Sequence, residues 1–345
     1  MANCHYDHRL CSDPLEKQNL LHGIFISRLT TLFRKVFLDY YNSYFAEQAS
    51  KTKPADALAG DKKLIAMGTE PTNDSKLFDD LPDGAITLLQ LSDSHIYADQ
   101  DRCLVGINTQ DSLDQVIALA RQQLSTPDLL LATGDLVHDA SAAGYQRIAE
   151  RLSAFGCPVY CLPGNHDVPK VMQEHLNRPP LYCLPSLQRG NWSIIFLDST
   201  IPGKPGGHLD DAQLELLSET LNRHPKHHTL ITMHHHPVPV GSAWMDTMAL
   251  VNPEPLFHLL EQHSQVRAVL FGHIHQEFDT KHRGIRLIGT PSTCIQFIAG
   301  QDKFGIDSKP PGYRAMVLLE SGEIRTEVRL LQALPLGLDL SSGGY

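Results

Sequence analysis

Five short stretches of this chain place carboxylate, amide and imidazole side chains close together. They read "SDSHIYAD", with Asp93 and His95; "GDLVHD", with Asp135; "GNHD", with Asn165, His166 and Asp167; "MHHHP", with His234, His235 and His236; and "GHIH", with His273 and His275. Mixed imidazole and carboxylate donors suit first-row divalent cations such as Fe, Mn or Zn. A single fragment of this kind recurs by chance, and a lone histidine is more often a hydrogen-bonded structural residue. Five in order, each following an apolar run, point jointly to a metal site. In an extended strand end, side chains at i and i+2 share a face. Asp93 and His95 are therefore expected to reach one ion together, and His273 and His275 two neighbouring ions. One central carboxylate, Asp135, can bridge two cations. Gly134, Gly164 and Gly272 are expected to let the backbone turn sharply beside the ions. At this level the triple histidine has three readings: a ligand with idle neighbours, a proton shuttle, or a solvated loop.

The elements that carry these stretches are short and β-rich. "AITLLQL", "DLLLAT", "PVYCLP", "HTLITM" and "VRAVLF" precede the five stretches, and "WSIIFLD" is a further strand candidate. Helical patterns fall near 108–124, 141–154, 210–223 and 253–263. Alternating β and α units predict a layered α/β domain, with ligand-type residues gathered at the C-terminal ends of the strands. The late segments "GIRLIG", "YRAMVLLE" and "IRTEVRLL" read as strands without intervening helices, closing the domain with a mainly antiparallel sheet.

The texture changes near residue 85. Apolar residues at helical spacing over 20–46 predict an amphipathic helix, and a polar, Pro- and Gly-bearing spacer follows to residue 84. That helix has aromatic residues on its apolar face and Arg28, Arg34 and Lys35 among its polar positions, so contact with a membrane surface or a partner is one reading. Docking on the α/β domain is another, and a third is disorder or an upstream start assignment, with Met67 as the alternative start. A net charge of −10 argues against a nucleic-acid-binding surface. Seven cysteines without a C-x-x-C pair favour reduced thiols and a cytoplasmic location. No apolar run reaches the ~18–20 residues of a transmembrane helix. The oligomeric state stays open.

The ordered set "DSH…GD…GNHD…HHHP…GHIH" resembles the calcineurin-like metallophosphoesterase family from about residue 86 to 298. "GINTQDSLDQV", "ATGDLVHDASAAGYQ", "LPGNHDVP", "HHHPVPVGSAWMD", "FGHIHQE" and "TPSTCIQF" are similar to one branch, the bacterial class III 3′,5′-cyclic-AMP phosphodiesterases, as is the closing "GGY". Residues 1–84 have no counterpart in that resemblance, so the catalytic domain is expected over 85–345. The resemblance implies an α/β/β/α sandwich with a dinuclear site at the strand ends. It implies two divalent ions, Fe and/or Mn with Zn as a further option: one held by Asp93, His95, Asp135 and His275, the other by Asp135, Asn165, His234 and His273. The cyclic phosphate is expected against His95, Asp135, Asn165, His166 and His275. His166 is the implied catalytic residue, contacting phosphate or donating to the leaving ribose 3′ oxygen. The implied reaction is in-line attack on phosphorus by a hydroxide between the ions, giving 5′-AMP and lowering cellular cAMP. A broader phosphodiesterase, acting on 2′,3′-cyclic nucleotides or glycerophosphodiesters, and a non-catalytic scaffold on the same fold are the alternatives.

Other residues carry plainer expectations. Asp167 is expected to orient His166, and it also reads as a helix N-cap before "VPKVMQEHL". His138, close after Asp135, reads as a solvated histidine at a helix start, with approach to the site as the alternative. His235 is expected on the far side of its strand end and His236 back towards the site, with Pro237 turning the chain. His208 is a candidate for the substrate-pocket rim, and Trp244 either walls a base pocket or packs in the core. His224, His227 and His228 are assigned no role.

Overall fold

The structure, a computed structural model, describes residues 76–124 and 126–344. The helix expected over 20–46, the spacer as far as residue 75 and the alternative start at Met67 lie outside the described residues. In chain order the first strands are β1 (Ile86–Leu91), β2 (Cys103–Leu104), β3 (Ile107–Asn108), β4 (Leu129–Thr133), β5 (Val159–Leu162), β6 (Leu181–Tyr182) and β7 (Ser186–Arg189). The others are β8 (Trp192–Phe196), β9 (His228–Thr232), β10 (Val266–Phe271), β11 (Phe278–His282), β12 (Ile285–Gly289), β13 (Gly312–Leu318) and β14 (Ile324–Leu330). The helices are α1 (Thr109–Gln123), α2 (Ala142–Ser153), α3 (Pro169–Leu176), α4 (Asp211–Arg223), α5 (Ala243–Asp246) and α6 (Pro253–Glu261).

Two six-stranded sheets form the frame, in the orders β14-β13-β1-β4-β5-β6 and β11-β12-β10-β9-β8-β7, and β2 and β3 make a small hairpin. In the first sheet β1, β4, β5 and β6 run parallel, and β13 joins the edge of β1 antiparallel. In the second, β8, β9, β10 and β12 run parallel, with β7 and β11 antiparallel at the edges. The late strands therefore do not form a sheet of their own. β12 extends the parallel run of the second sheet, while β13 and β14 extend the first.

The strands read as continuous apolar runs because both faces of each sheet are covered. Alternate residues sort between layers. Leu88, Leu131, Ile194, Leu230 and Leu270 meet between the two sheets. Leu89, Leu130 and Leu91 face outward against α1–α3, and Ile195, Ile231 and Val269 face outward into the cluster that takes in α4 and α6. In α1 the buried Leu113, Val116, Ile117 and Ala120 recur at i, i+3, i+4 and i+7, one stripe of a helix. Capping fixes the starts: Asn108 accepts from Asp111 N at 3.0 Å, Ser141 from Gly144 N at 3.1 Å and Asp210 from Gln213 N at 2.9 Å. The result is the expected α/β/β/α sandwich. Among the described residues no helix is long and apolar enough to cross a membrane.

What matters for chemistry is that the C-terminal ends of both parallel runs lie side by side. Gln90 Nε2 in β1 donates to Thr133 Oγ1 at 2.9 Å and across the sandwich to Phe271 O of β10 at 3.3 Å. Ser292 Oγ, beyond β12, donates to Asp93 O at 2.8 Å. Loops from the two sheets thus share one crevice.

Candidate metal centre

The five stretches enter this crevice by a different geometry from strand alternation. β1 ends at Leu91 and β10 at Phe271, before their polar residues begin. Asp93, His95, Asp135, His273 and His275 all adopt left-handed backbone, with φ of 56°, 46°, 50°, 66° and 48°. Such conformations cost non-glycine residues on the order of 1–3 kcal/mol each and persist where surrounding bonds enforce them. In this crevice Asp93 N donates to Gly134 O at 3.0 Å, His95 N to Asp135 O at 2.9 Å and Ile96 N to Leu136 O at 3.0 Å. The loops after β1 and β4 are zipped together, and the zip aims Asp93, His95 and Asp135 inward. Of the three glycines, Gly134 alone has a positive φ, of 92°. Gly164 and Gly272 serve close approach instead: a Cβ would fall 2.2 Å from Asp135 Oδ1 at the first and 2.1 Å from Ser92 Oγ at the second.

The structure brings the expected residues together. Ligand atoms of Asp93, His95 and His275 lie within 4.8 Å of one another, as do those of Asp93, Asp135 and His234. Asp135 Oδ2 stands 3.3 Å from His234 Nε2 and 3.8 Å from His95 Nε2, between the two groups. His275 Nε2 stands 3.3 Å from Asp93 Oδ1, and His273 N donates to both oxygens of the same carboxylate at 3.1 and 3.2 Å. Asn165 and His166 line the cavity beside His273. His166 N donates to Asp135 Oδ1 at 2.8 Å.

Tautomers follow from the outer contacts. His234 Nδ1 lies 2.9 Å from Thr133 O and His275 Nδ1 2.8 Å from Ile295 O. A carbonyl oxygen only accepts, so both rings carry hydrogen on Nδ1 and turn Nε2 towards the carboxylates. Burial, then the neighbouring His166, holds His95 well below the ordinary imidazole range; burial and the rings of His235, His234 and His236 do the same for His273. For His234 burial is outweighed by Asp135 and Asp93, which pull it up to about 9. Burial opposes ionisation of Asp135, but His234, His166 and His95 hold its carboxyl well below the usual range.

These residues fit divalent cations. Asn165 Oδ1 and His273 Nε2 are buried without a hydrogen-bond partner. Leaving one such atom unsatisfied costs about 1–3 kcal/mol, a cost that a cation on those lone pairs removes. The oxygen and imidazole donors are the set that first-row divalent ions accept.

The structure corrects several sequence expectations. β9 ends at Thr232, so alternation does not sort the triple histidine, and all three rings are buried. His235 groups with His234 and His273, its Nδ1 2.8 Å from Ser199 Oγ. His236 does turn back towards the site as expected, stacked on His273 at 5.6 Å, with Nε2 3.5 Å from Asp246 Oδ1. Asp167 neither caps α3, whose N-cap is Val168, nor bonds to His166. Its carboxylate accepts from Leu136 N, Val137 N, Gly164 N and Tyr145 Oη at 2.9–3.2 Å. His138 is not a solvated helix start: it is half-buried, α2 begins at Ala142, and its ring stacks on His166 at 4.4 Å. His208 is exposed and lines a separate cavity with Asp198 and Asp210.

Over the polar residues opens a cavity of about 490 Å³ walled by Lys204, Trp244, Met245, Met248, Phe304 and the backbone of Gly343 and Gly344. Trp244 lines this cavity and also packs edge-on against Phe297 at 5.1 Å and Phe304 at 5.2 Å. Lys204 and Phe304 come from irregular segments with no periodic signal. His138, three residues past Asp135 in the same loop, takes the alternative that its chain position offered, approach to the site, with its ring on His166 and its Nδ1 beside His95.

Buried imidazoles and carboxylates at the shared end of two facing sheets define a metal-binding α/β sandwich. A family model described as calcineurin-like phosphoesterase matches residues 86–277. The Haemophilus influenzae 3′,5′-cyclic adenosine monophosphate phosphodiesterase CpdA is 41% identical over 261 residues, 75% of this chain and 95% of that protein. CpdA of Escherichia coli K12 is 39% identical over the same shares of the two chains. Among solved structures, a dimetal phosphatase from Danio rerio superposes with a TM-score of 0.51 at 14% identity, covering 74% of this chain and 99% of that one. The chain belongs to the calcineurin-like phosphoesterase family.

Proposed function

We propose that this protein hydrolyses 3′,5′-cyclic AMP to 5′-AMP with two divalent ions, Fe and/or Mn or alternatively Zn. One ion is assigned to Asp93, His95, Asp135 and His275, the other to Asp135, Asn165, His234 and His273. The observation that carries the dinuclear reading is the seat of Asp135 Oδ2 between His95 Nε2 and His234 Nε2, at 3.8 and 3.3 Å. The substrate assignment is supported by relatives named cAMP phosphodiesterases that align over 95% of their length.

When bound, such ions neutralise phosphoryl charge and acidify water at neutral pH. The protein's own share is positioning. Asp135 is held ionised, and its Oδ1 fixes the backbone of His166 at 2.8 Å. His166 thereby faces the cavity, where it donates to the departing ribose 3′ oxygen or to an equatorial phosphoryl oxygen. His95, Asp135, Asn165, His166 and His275 surround the phosphate. Trp244, Met248 and Phe304 offer an apolar wall to the base, and Lys204 a cation at the rim. The compartment proposed is the cytoplasm, where turnover lowers cellular cAMP.

Turnover of 3′,5′-cAMP, 2′,3′-cAMP and bis(p-nitrophenyl) phosphate by metal-loaded protein tests this. Selective formation of 5′-AMP from the first is expected. Equal rates on all three indicate a broader phosphodiesterase, and no turnover with both metals bound leaves a scaffold.

A further inference from the structure

We propose that His138 is a positioning residue of the metal centre: it holds His95 in the tautomer a cation requires and clamps the His166 ring beside the cavity. This rests on the dinuclear reading. A cation on His95 Nε2 needs the ring hydrogen on Nδ1, and that hydrogen needs an acceptor. His138 Nδ1 lies 3.1 Å from His95 Nδ1 and is that acceptor, which puts its own hydrogen on Nε2. For His234 and His275 the same service comes from backbone carbonyls. His95 differs from these two in being oriented through another side chain.

The second contact is through ring faces. His138 stacks on His166 at 4.4 Å with 28° between planes, while His166 meets His95 edge-on at 4.8 Å. The three rings support one another, so displacing His138 releases both a candidate ligand and the candidate catalytic residue. His138 is itself well anchored. Its N donates to Ile96 O at 2.8 Å, and Tyr97 packs on its ring at 4.8 Å with the Arg102 guanidinium over Tyr97. Asp139 Oδ2 accepts from Ala98 N at 2.9 Å, stitching the two loops once more. Ligand atoms of His95, His138 and His166 also lie within 4.8 Å of one another, so a third cation among them is the competing account. The Nδ1 to Nδ1 contact favours a hydrogen bond, since it engages the His95 nitrogen that faces away from Asp135.

The test uses the full chain, stripped of metal and titrated with Co²⁺ followed by visible absorption, alongside kinetics on bis(p-nitrophenyl) phosphate. The wild type is expected to bind two equivalents. H138F keeps a ring to stack on His166 but accepts no hydrogen bond, and should weaken one equivalent by about 10- to 100-fold and leave the other unchanged. H138N returns an acceptor near the Nδ1 position without the ring; it should restore the metal affinity yet lower kcat with little change in KM. H138A lacks both and takes the place of H138F should that variant not fold. H138F binding both equivalents as tightly as the wild type, or H138N as weak as H138F, overturns the proposal alone. A third equivalent lost in H138A also overturns it. A wild type that binds fewer than two equivalents removes the dinuclear reading, and the proposal with it.

Discussion

Tyr145 Oη donates to Asp167 Oδ1 at 2.9 Å beneath the candidate metal centre, with both residues buried. Asp167 also accepts from Leu136 N and Val137 N on the Asp135 loop and from Gly164 N on the Asn165 loop. One carboxylate therefore fastens two loops that carry candidate ligands. Asp167→Asn turns an amide nitrogen towards at least one backbone N–H whichever way it lies, since Oδ1 accepts from Val137 N and Oδ2 from Leu136 N and Gly164 N, so a donor is left facing a donor. Metal affinity and kcat should each fall about 10- to 100-fold. Metal titration and steady-state kinetics measure this, and a variant that keeps wild-type affinity refutes the fastening role.

The central carboxylate carries the largest expected effect. Asp135→Ala should abolish turnover and loosen both ions, because its Oδ2 faces both ligand groups. Full metal content with normal turnover in that variant rules out the shared position.

Proton release should accompany metal binding. Asp135 and Asp93 overcome burial to pull His234 up to about 9, so the metal-free protein carries a proton on His234 Nε2 at neutral pH. Its Nδ1 hydrogen is committed to Thr133 O. A cation must displace the Nε2 proton, so affinity should rise about tenfold per pH unit from 7 towards 9 and then level off. His95 and His273, held low by burial, add nothing in that window. Calorimetric Mn²⁺ titrations in buffers of different ionisation enthalpy read the released proton directly. An affinity independent of pH between 7 and 9 contradicts the assignment.

The sandwich and the gathering of ligand-type residues were legible because each apolar run is followed at once by its polar residues. β1 into Asp93, β4 into Asp135 and β10 into His273 are local statements in the chain. The order of the late strands was not legible, since pairing of β13 with β1 spans more than two hundred residues of chain and leaves no local mark. Nor was the left-handed backbone at Asp93 and His95, which depends on hydrogen bonds to a loop some forty residues away. Asp167 shows the same limit. Its position before a helix suggested a cap, while its partners Leu136, Val137 and Tyr145 come from the preceding βα unit.

The cavity wall should separate nucleotide from generic substrates. Stacking of a base on an aromatic side chain is worth about 1–3 kcal/mol. Trp244→Ala should therefore raise KM for cAMP about 5- to 150-fold while changing KM for bis(p-nitrophenyl) phosphate far less. Trp244→Phe should recover part of the loss. Equal effects on both substrates argue that Trp244 serves only to pack against Phe297 and Phe304.

Arg314 gives a test of the frame rather than the chemistry. Its side chain on β13 is 1% exposed, donating to Gly289 O of β12 at 2.8 Å and to Thr326 Oγ1 of β14 at 3.1 Å. It thus joins the two sheets. Burial pulls its pKa down to about 10, which leaves it charged at neutral pH. Arg314→Ala opens a cavity and unpairs the Gly289 carbonyl, and should cost roughly 3–5 kcal/mol. Arg314→Met fills most of the volume and relieves the desolvated charge, so its cost should stay at roughly 1–3 kcal/mol, the share of the unpaired carbonyl. Urea unfolding at pH 7 measures both. If Met proves as damaging as Ala, the charge itself rather than packing holds the sheets together, and the expected order of the two variants fails.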